Sequence, residues 1–283
     1  MTDSLGSDRG GVCVAGVGVG GVDVVIPAHD EQDLLAGCLD ALEDCIAATP
    51  VPVTVTVVLD SCRDATEEIA RGRARIVRTS ARNVGIARAR GFDSLRRPSS
   101  SSTTTTGSTS TPLPPGLTSP PEPHVSPSRR WYATTDADSR VPRTWLTDQL
   151  AVARSGADVV AGLIAVDDWS DWTPATRLSY LEGYHPGPGH RHIHGANIGI
   201  SARAYRQLGG FDPLPVHEDV QLVRRAQEAG LTVAWSTAAP VMTSARRTAR
   251  APGGFAGHLA ATESAATERA ATERAASAGT TAS

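Results

Sequence analysis

The sequence predicts an α/β domain whose mainly parallel central sheet is flanked by helices. Three observations carry this. Short β-branched runs alternate with amphipathic stretches, the pattern of successive β-α-β units. Setting aside the compositionally biased segments leaves about 200 residues, a length that suits one domain. Three of the strand-like runs end in acid, and in open α/β sheets ligands bind beyond the carboxyl ends of the strands.

The strand-like runs cover 23–27, 53–60, 75–78, 131–135, 158–166, 192–201 and 231–236. The helix-like stretches cover 31–47, 64–73, 84–97, 142–155, 202–208 and 218–229. Pro142 fits a first helical turn and Gly230 the position just past a helix end. Cys38 and Cys45, seven residues apart, fall on the buried stripe of the first helix.

Three segments read as something other than core. Residues 1–21 form a Gly/Ser/Val leader, expected to be disordered. Residues 98–128 hold 24 Pro, Ser or Thr among 31, too little apolar surface to offset the entropy of ordering, so this insert is expected to be disordered as well. Residues 260–274 repeat AATES, AATER, AATER. A five-residue period turns about 140° per repeat and builds no fixed apolar stripe, which predicts a marginal solvated helix or disorder over 260–283. Residues 22–259 are then one domain with halves 22–138 and 139–259. The insert is expected on the amino side of the sheet, away from any site, and removable without loss of chemistry.

Composition excludes several chemistries. Of 283 residues, 40% are hydrophobic and 20% charged, and all 27 basic residues are arginine. The absence of lysine rules out a Walker-A, Schiff-base or kinase-type phosphate lysine. A formal net charge of -3 argues against non-specific nucleic-acid binding. Cys13, Cys38, Cys45 and Cys62 form no C-x-x-C pair, which points to a reducing, cytoplasmic setting. No run of eighteen apolar residues predicts a membrane-spanning helix, leaving peripheral membrane contact as the remaining kind, and the leader opens with Asp3 and Asp8, unlike a signal peptide.

VVIPAHDE ends in Asp30 and Glu31, VTVTVVLD in Asp60, and WYATTDAD in Asp136 and Asp138. If these strands are neighbours, their carboxylates converge on one cleft and repel unless a cation joins them. A magnesium or manganese ion on Asp136 and Asp138, with positions left open for phosphate oxygens, resolves the repulsion, so the cleft suits a metal–nucleotide diphosphate.

Taken in order, these segments resemble the inverting GT-A glycosyltransferases of family 2, across 22–259 apart from the insert. VVIPAHDE, with Pro27 and Ala28 at the strand end, resembles the family's opening strand and turn, which implies that Glu31 borders the nucleotide base. VVLDSCRDAT implies that Asp60 bonds the base or ribose, and NVGIARARG implies that Asn83 and Arg88 lie near the nucleotide. TTDADS is similar to the family's D-x-D element, with Asp136 at ribose or diphosphate and metal, and Asp138 at the metal. HGANIGISARAYRQLGGFD followed by VHEDVQLVRRAQEAG resembles the acceptor half, where Asp219 would be the catalytic base. The resemblance implies a nucleotide-diphosphate sugar donor and a hydroxyl acceptor, whether small molecule, glycan or lipid. Two departures stand out. Leu59-Asp60-Ser61 replaces the two acids and glycine of many members, and no Q-x-x-R-W follows the Glu-Asp pair, which argues against a processive polysaccharide synthase.

Weaker signals remain. Arg246, Arg247 and Arg250 lie in a loop that either closes over a diphosphate, with Arg246 as a donor contact, or is a solvated basic turn. His190, His192 and His194 alternate, so on a strand they would share a face, as zinc or iron ligands do. GVGVGG at 16–21 matches G-x-G-x-x-G, but a strand follows where that fingerprint needs a helix. Trp169 and Trp172 either stack on a sugar ring or pack half-exposed. Two other functions stay open: a His/Asp metallohydrolase built on His192, His194 and the acids, and a nucleotide-sugar-binding module without catalysis.

Overall fold

The computed structural model describes residues 18–95, 129–248 and 254–280. One mixed eight-stranded sheet orders its strands β3-β2-β1-β4-β7-β6-β8-β5. The strands are β1 Gly21–Ala28, β2 Val53–Asp60, β3 Arg75–Thr79, β4 Arg130–Thr134, β5 Ser139–Arg140, β6 Val159–Ala165, β7 Ile198–Ser201 and β8 Val233–Thr243. The helices are α1 Leu35–Ala47, α2 Thr66–Ala70, α3 Val84–Ser94, α4 Trp145–Arg154, α5 Pro174–Gly183, α6 Ala202–Gln207, α7 Glu218–Glu228 and α8 Phe255–Thr280.

β1 lies between β2 and β4 and pairs with both in parallel, with Ala28 level with Leu59 and Val25 level with Thr134. The carboxyl ends of these three strands therefore share one rim. Alternation along β1 serves both faces of the sheet. Val22, Val24 and Ile26 pack with Leu35, Cys38, Leu42 and Cys45 of α1 and with Trp145 and Leu150 of α4. Val25 faces the opposite way, toward Phe92 of α3, Tyr205 of α6 and Leu222 of α7. Phe92 stacks on Tyr132 with ring centroids 4.7 Å apart.

The sheet is largely parallel, and β5 and β7 run against the others. Because β7 is reversed, its start, rather than its end, lies at the carboxyl rim. The predicted strand over 192–201 is correspondingly short. Residues 191–194 are irregular, Gly195–Asn197 form a 3-10 turn, and only Ile198–Ser201 pair. The three alternating histidines therefore do not sit on a strand.

Other boundaries move for local reasons. α1 begins at Leu35 instead of residue 31 because Asp30 takes a left-handed φ of 52° and the Glu31 carbonyl accepts the Leu34 and Leu35 N–H groups in a tight turn. α2 stops at Ala70 shortly before Gly72, whose φ is 79°. Pro142 lies before α4, where its carbonyl accepts the Trp145 N–H, and Gly230 takes a φ of 69° past the end of α7. α5, absent from the sequence reading, starts at Pro174 with Thr173 accepting the Thr176 N–H as its cap.

The Ala-rich tail is helical as α8. It is held by residues near its start: Leu259 is fully buried against Trp172, Tyr180 and Ala245, and Glu263 pairs with Arg247. The repeat is non-amphipathic, as expected, and further along Arg269 reaches the Ser179 hydroxyl of α5. Residues 1–17 of the leader, with Gly16 and Val17 of GVGVGG, the insert and Arg250 lie outside the described residues, and Gly21 opens β1. The insert's flanks are at the amino side: Gly20, before β1, donates to the Arg129 carbonyl, and Arg75, at the start of β3, reaches the Ser94 carbonyl at the end of α3.

Candidate active site

Asp60 closes β2 and is 5% exposed. Its carboxylate accepts the backbone N–H groups of Arg82 and Asn83, both at 2.8 Å, and the Ser61 hydroxyl at 3.2 Å. Ser61 has a φ of 61°, which explains the glycine common at this position in the family it resembles. Asn83 then caps α3 through its side-chain oxygen, 2.9 Å from the Ile86 N–H, and its amide donates to the Pro213 carbonyl at 3.0 Å. The acid at the end of β2 thus sets the start of α3, and α3 reaches across to the loop before α7.

Glu31 is turned to the same rim by the Asp30 turn. Arg246, from the loop after β8, grips it with two bonds of 2.6 Å, and the same guanidinium lies 3.0 Å from Asp138. Burial pushes the Asp138 carboxyl up to about 7; Arg246 opposes the rise, and Asp136 and Glu31 add to it. Asp136 is held by Arg88 of α3, whose Nε also donates to Thr134 at 3.2 Å. Beside Glu31 and Arg246 opens a cavity of about 370 Å³, whose wall includes Asp33, Asp171, Ser244 and Arg247. The rim therefore gathers Glu31, Asp60, Asp136 and Asp138, from three neighbouring strand ends, with Arg88 and Arg246 between them.

Asp219 is half-buried in the first turn of α7 and accepts the Val220 N–H at 2.7 Å. Its neighbour Glu218 is buried and pairs with Arg88, so one guanidinium touches both Asp136 and Glu218. Nothing along the chain singles out Glu218. The only signal was an acid adjacent to Asp219, and its burial against α3 is not visible along the chain.

The histidines take other roles. His190 Nε2 is 3.1 Å from the Ser236 carbonyl, His192 Nε2 is 3.2 Å from the His185 carbonyl, and His194 Nε2 is 3.2 Å from the Tyr184 hydroxyl. The rings stack in sequence, with centroids 5.8 and 6.1 Å apart. Among the described residues no group of three His, Cys, Asp or Glu side chains is arranged to hold a metal. Trp172 packs in the cluster with α8 and lies under Arg247, whose guanidinium is 4.4 Å from its ring centroid.

Burial, with the neighbouring histidines, pushes His194 down from 6.5 to about 4. The unfolded chain then binds the proton more readily than the folded one. This contribution to stability is present above about pH 6.5 and lost as pH falls toward 4, on the order of 2–3 kcal/mol. Thermal melts between pH 7 and 4 check it: His194→Asn, which cannot take the proton, is expected to show the shallower acid decline.

Residues 23–93 match the family model described as glycosyl transferase family 2. Solved structures align over most of the chain. S. aureus TarS 1–349, in complex with UDP-GlcNAc, aligns at a TM-score of 0.52 and 13% identity, over 81% of this chain and 60% of that one. A mannosyltransferase from Pyrobaculum calidifontis, in complex with GDP-Man and Mn2+, aligns at 0.52 and 18%, over 92% and 79%. The chain has the GT-A fold. Glucosyl-3-phosphoglycerate synthase from Mycobacterium tuberculosis, with Mn2+, UDP and glucosyl-3-phosphoglycerate, aligns at 0.51 and 16%, over 85% and 77%. This GT-A chain spans about 60% of the length of TarS 1–349. No curated protein matches the sequence. The family match runs from β1 through most of α3, so it covers Glu31, Asp60, Asn83 and Arg88 and leaves the D-x-D element and α7 outside it.

The D-x-D carboxylates fit a hard divalent cation. They are oxygen donors at a rim with more negative than positive charge, and that excess helps raise the Asp138 carboxyl. Two protein ligands are few, which suits an ion that takes its remaining oxygens from water and substrate phosphates.

Proposed function

We propose that this GT-A chain is a metal-dependent glycosyltransferase that moves a sugar from a nucleotide-diphosphate donor to a hydroxyl acceptor with inversion. The observation that carries the reading is the convergence of Glu31, Asp60, Asp136 and Asp138 on one rim, to which α7 is tied through Glu218, the neighbour of Asp219, by its pair with Arg88. The donor's nucleotide lies along Pro27, Ala28, Glu31, Asp60 and Asn83. Asp136, with Arg88 behind it, faces ribose or diphosphate.

Asp219 accepts the proton of the acceptor hydroxyl as its oxygen attacks the anomeric carbon. The bond from that carbon to the diphosphate oxygen breaks, and its electron pair leaves with the nucleotide. A positioned general base contributes about 10²–10⁴-fold. Arg246 exchanges carboxylate partners for phosphate oxygens, which guanidinium binds well. Asp136 and Asp138 would hold a manganese or magnesium ion, which would supply Lewis-acid neutralisation of the charge on the departing diphosphate.

A reducing, cytoplasmic setting belongs to the same proposal and is supported by the free thiols of Cys38, Cys45 and Cys62. No helix of the described residues is long and apolar enough to cross a membrane. The metallohydrolase alternative finds no support in the histidines, whose Nε2 atoms bond to carbonyls and a tyrosine hydroxyl.

A thermal-shift series with UDP or GDP, with and without Mn2+, tests the donor site. At a nucleotide concentration of about 100 Kd, binding stabilises by about 2.7 kcal/mol, so one nucleotide with Mn2+ is expected to raise Tm by about 5–10 °C. Equal shifts with and without the metal, or none with either nucleotide, would count against the proposal.

A further inference from the structure

The start of α7 lacks a cap of its own. His217, the residue before it, has a left-handed φ of 62° and makes no side-chain cap bond. Three contacts from α3 and its cap hold this start instead. Asn83 donates to the Pro213 carbonyl, the Gly85 N–H donates to the Leu214 carbonyl at 3.1 Å, and Arg88 pairs with Glu218. Gly85 is tight against this loop, since a Cβ there would overlap the Asp212 carbonyl. The Arg88 and Glu218 side chains are 3% and 4% exposed, so the pair is sealed from water and cannot be a solvated surface bridge. Gly195, in the turn at the start of β7, leaves the space that the guanidinium fills, because a Cβ there would overlap it.

A buried ion pair is a poor source of net stability, because desolvating both charges offsets most of their attraction. It is a good source of position. Successive helical residues point about 100° apart, so pinning Glu218 inward fixes the direction of Asp219. We propose that Glu218 and Arg88 are a positioning pair that aims Asp219 at the acceptor hydroxyl, with Gly195 as the notch that admits Arg88. The same guanidinium holds Asp136, so the base helix and the D-x-D element hang on one anchor. This rests on Asp219 being the base.

The test measures UDP or GDP release from UDP-GlcNAc, UDP-glucose or GDP-mannose with Mn2+, alongside nucleotide binding by calorimetry. Glu218→Gln keeps the shape and an acceptor for Arg88 but removes the charge. It is expected to lower kcat about 10²-fold while donor KM and nucleotide affinity stay within about threefold, the signature of a misaimed base. A folded Glu218→Gln with unchanged kcat overturns the proposal, as does a loss of nucleotide affinity that accounts for the whole fall. If Glu218→Gln does not fold, Glu218→Asp keeps the charge and leaves Arg88 in place on Asp136 but shortens the reach that pins the helix. It is expected to fold, bind nucleotide and show the same loss of kcat, and wild-type turnover there is equally fatal. Asp219→Asn separates the two levels: normal turnover in that variant overturns the assignment of the base, whereas an inactive Asp219→Asn beside an active Glu218→Gln overturns only the positioning role.

Discussion

Replacing Asp219 by Asn is expected to lower kcat by about 10²–10⁴-fold, the usual contribution of a general base. Asn has the same shape, and its side-chain oxygen still accepts the Val220 N–H, so the first turn of α7 is preserved. What it loses is the ability to take a proton. The ion pair between Glu218 and Arg88 is untouched, so the helix keeps its place. Binding of UDP or GDP with Mn2+ is therefore expected to match wild type by calorimetry, confining the loss to turnover. An Asp219→Asn variant that releases nucleotide from its donor at the wild-type rate would remove Asp219 from the mechanism.

Asp138→Ala is expected to abolish the metal-dependent part of nucleotide binding, a fall of about 10²-fold or more, since even outer-shell changes around bound metals cost 10–100-fold. The fold is expected to survive. Asp138 is crowded by Asp136 and Glu31, and Arg246 retains its two bonds to Glu31 when Asp138 is gone. Calorimetric titration of UDP or GDP with and without Mn2+, beside a melt of the metal-free variant, separates a lost ligand from a lost fold. Unchanged Mn2+ dependence would show that the metal is held elsewhere.

Much of the site was legible because its acids end strands. β2 runs over 53–60 as predicted, and the parallel pairing of β2, β1 and β4 then carries Asp60, Glu31 and Asp136 to one rim. The buried faces of Cys38 and Cys45 were readable for a similar reason, because helical spacing is a local property. The strand expected over 192–201 comes out short for the converse reason. The rings of His190, His192 and His194 stack in sequence as alternation suggests, but the loop that carries them pairs with no strand, which spacing along the chain does not reveal. α5 and the docking of α8 escaped notice because their apolar residues are few, and they fold by packing on each other and on Trp172.

The sequence by itself determined the alternation of strands and helices, the acids at the strand ends, and a chemistry without lysine. Which charge meets which was decided only in three dimensions. Arg246 reaches Glu31 across 215 residues, and Arg88 of α3 meets Glu218 of α7 because the reversed β7 opens a notch at Gly195. Such pairs depend on where separately formed elements dock and on which side chain is small enough to let another pass. Local periodicity does not encode either.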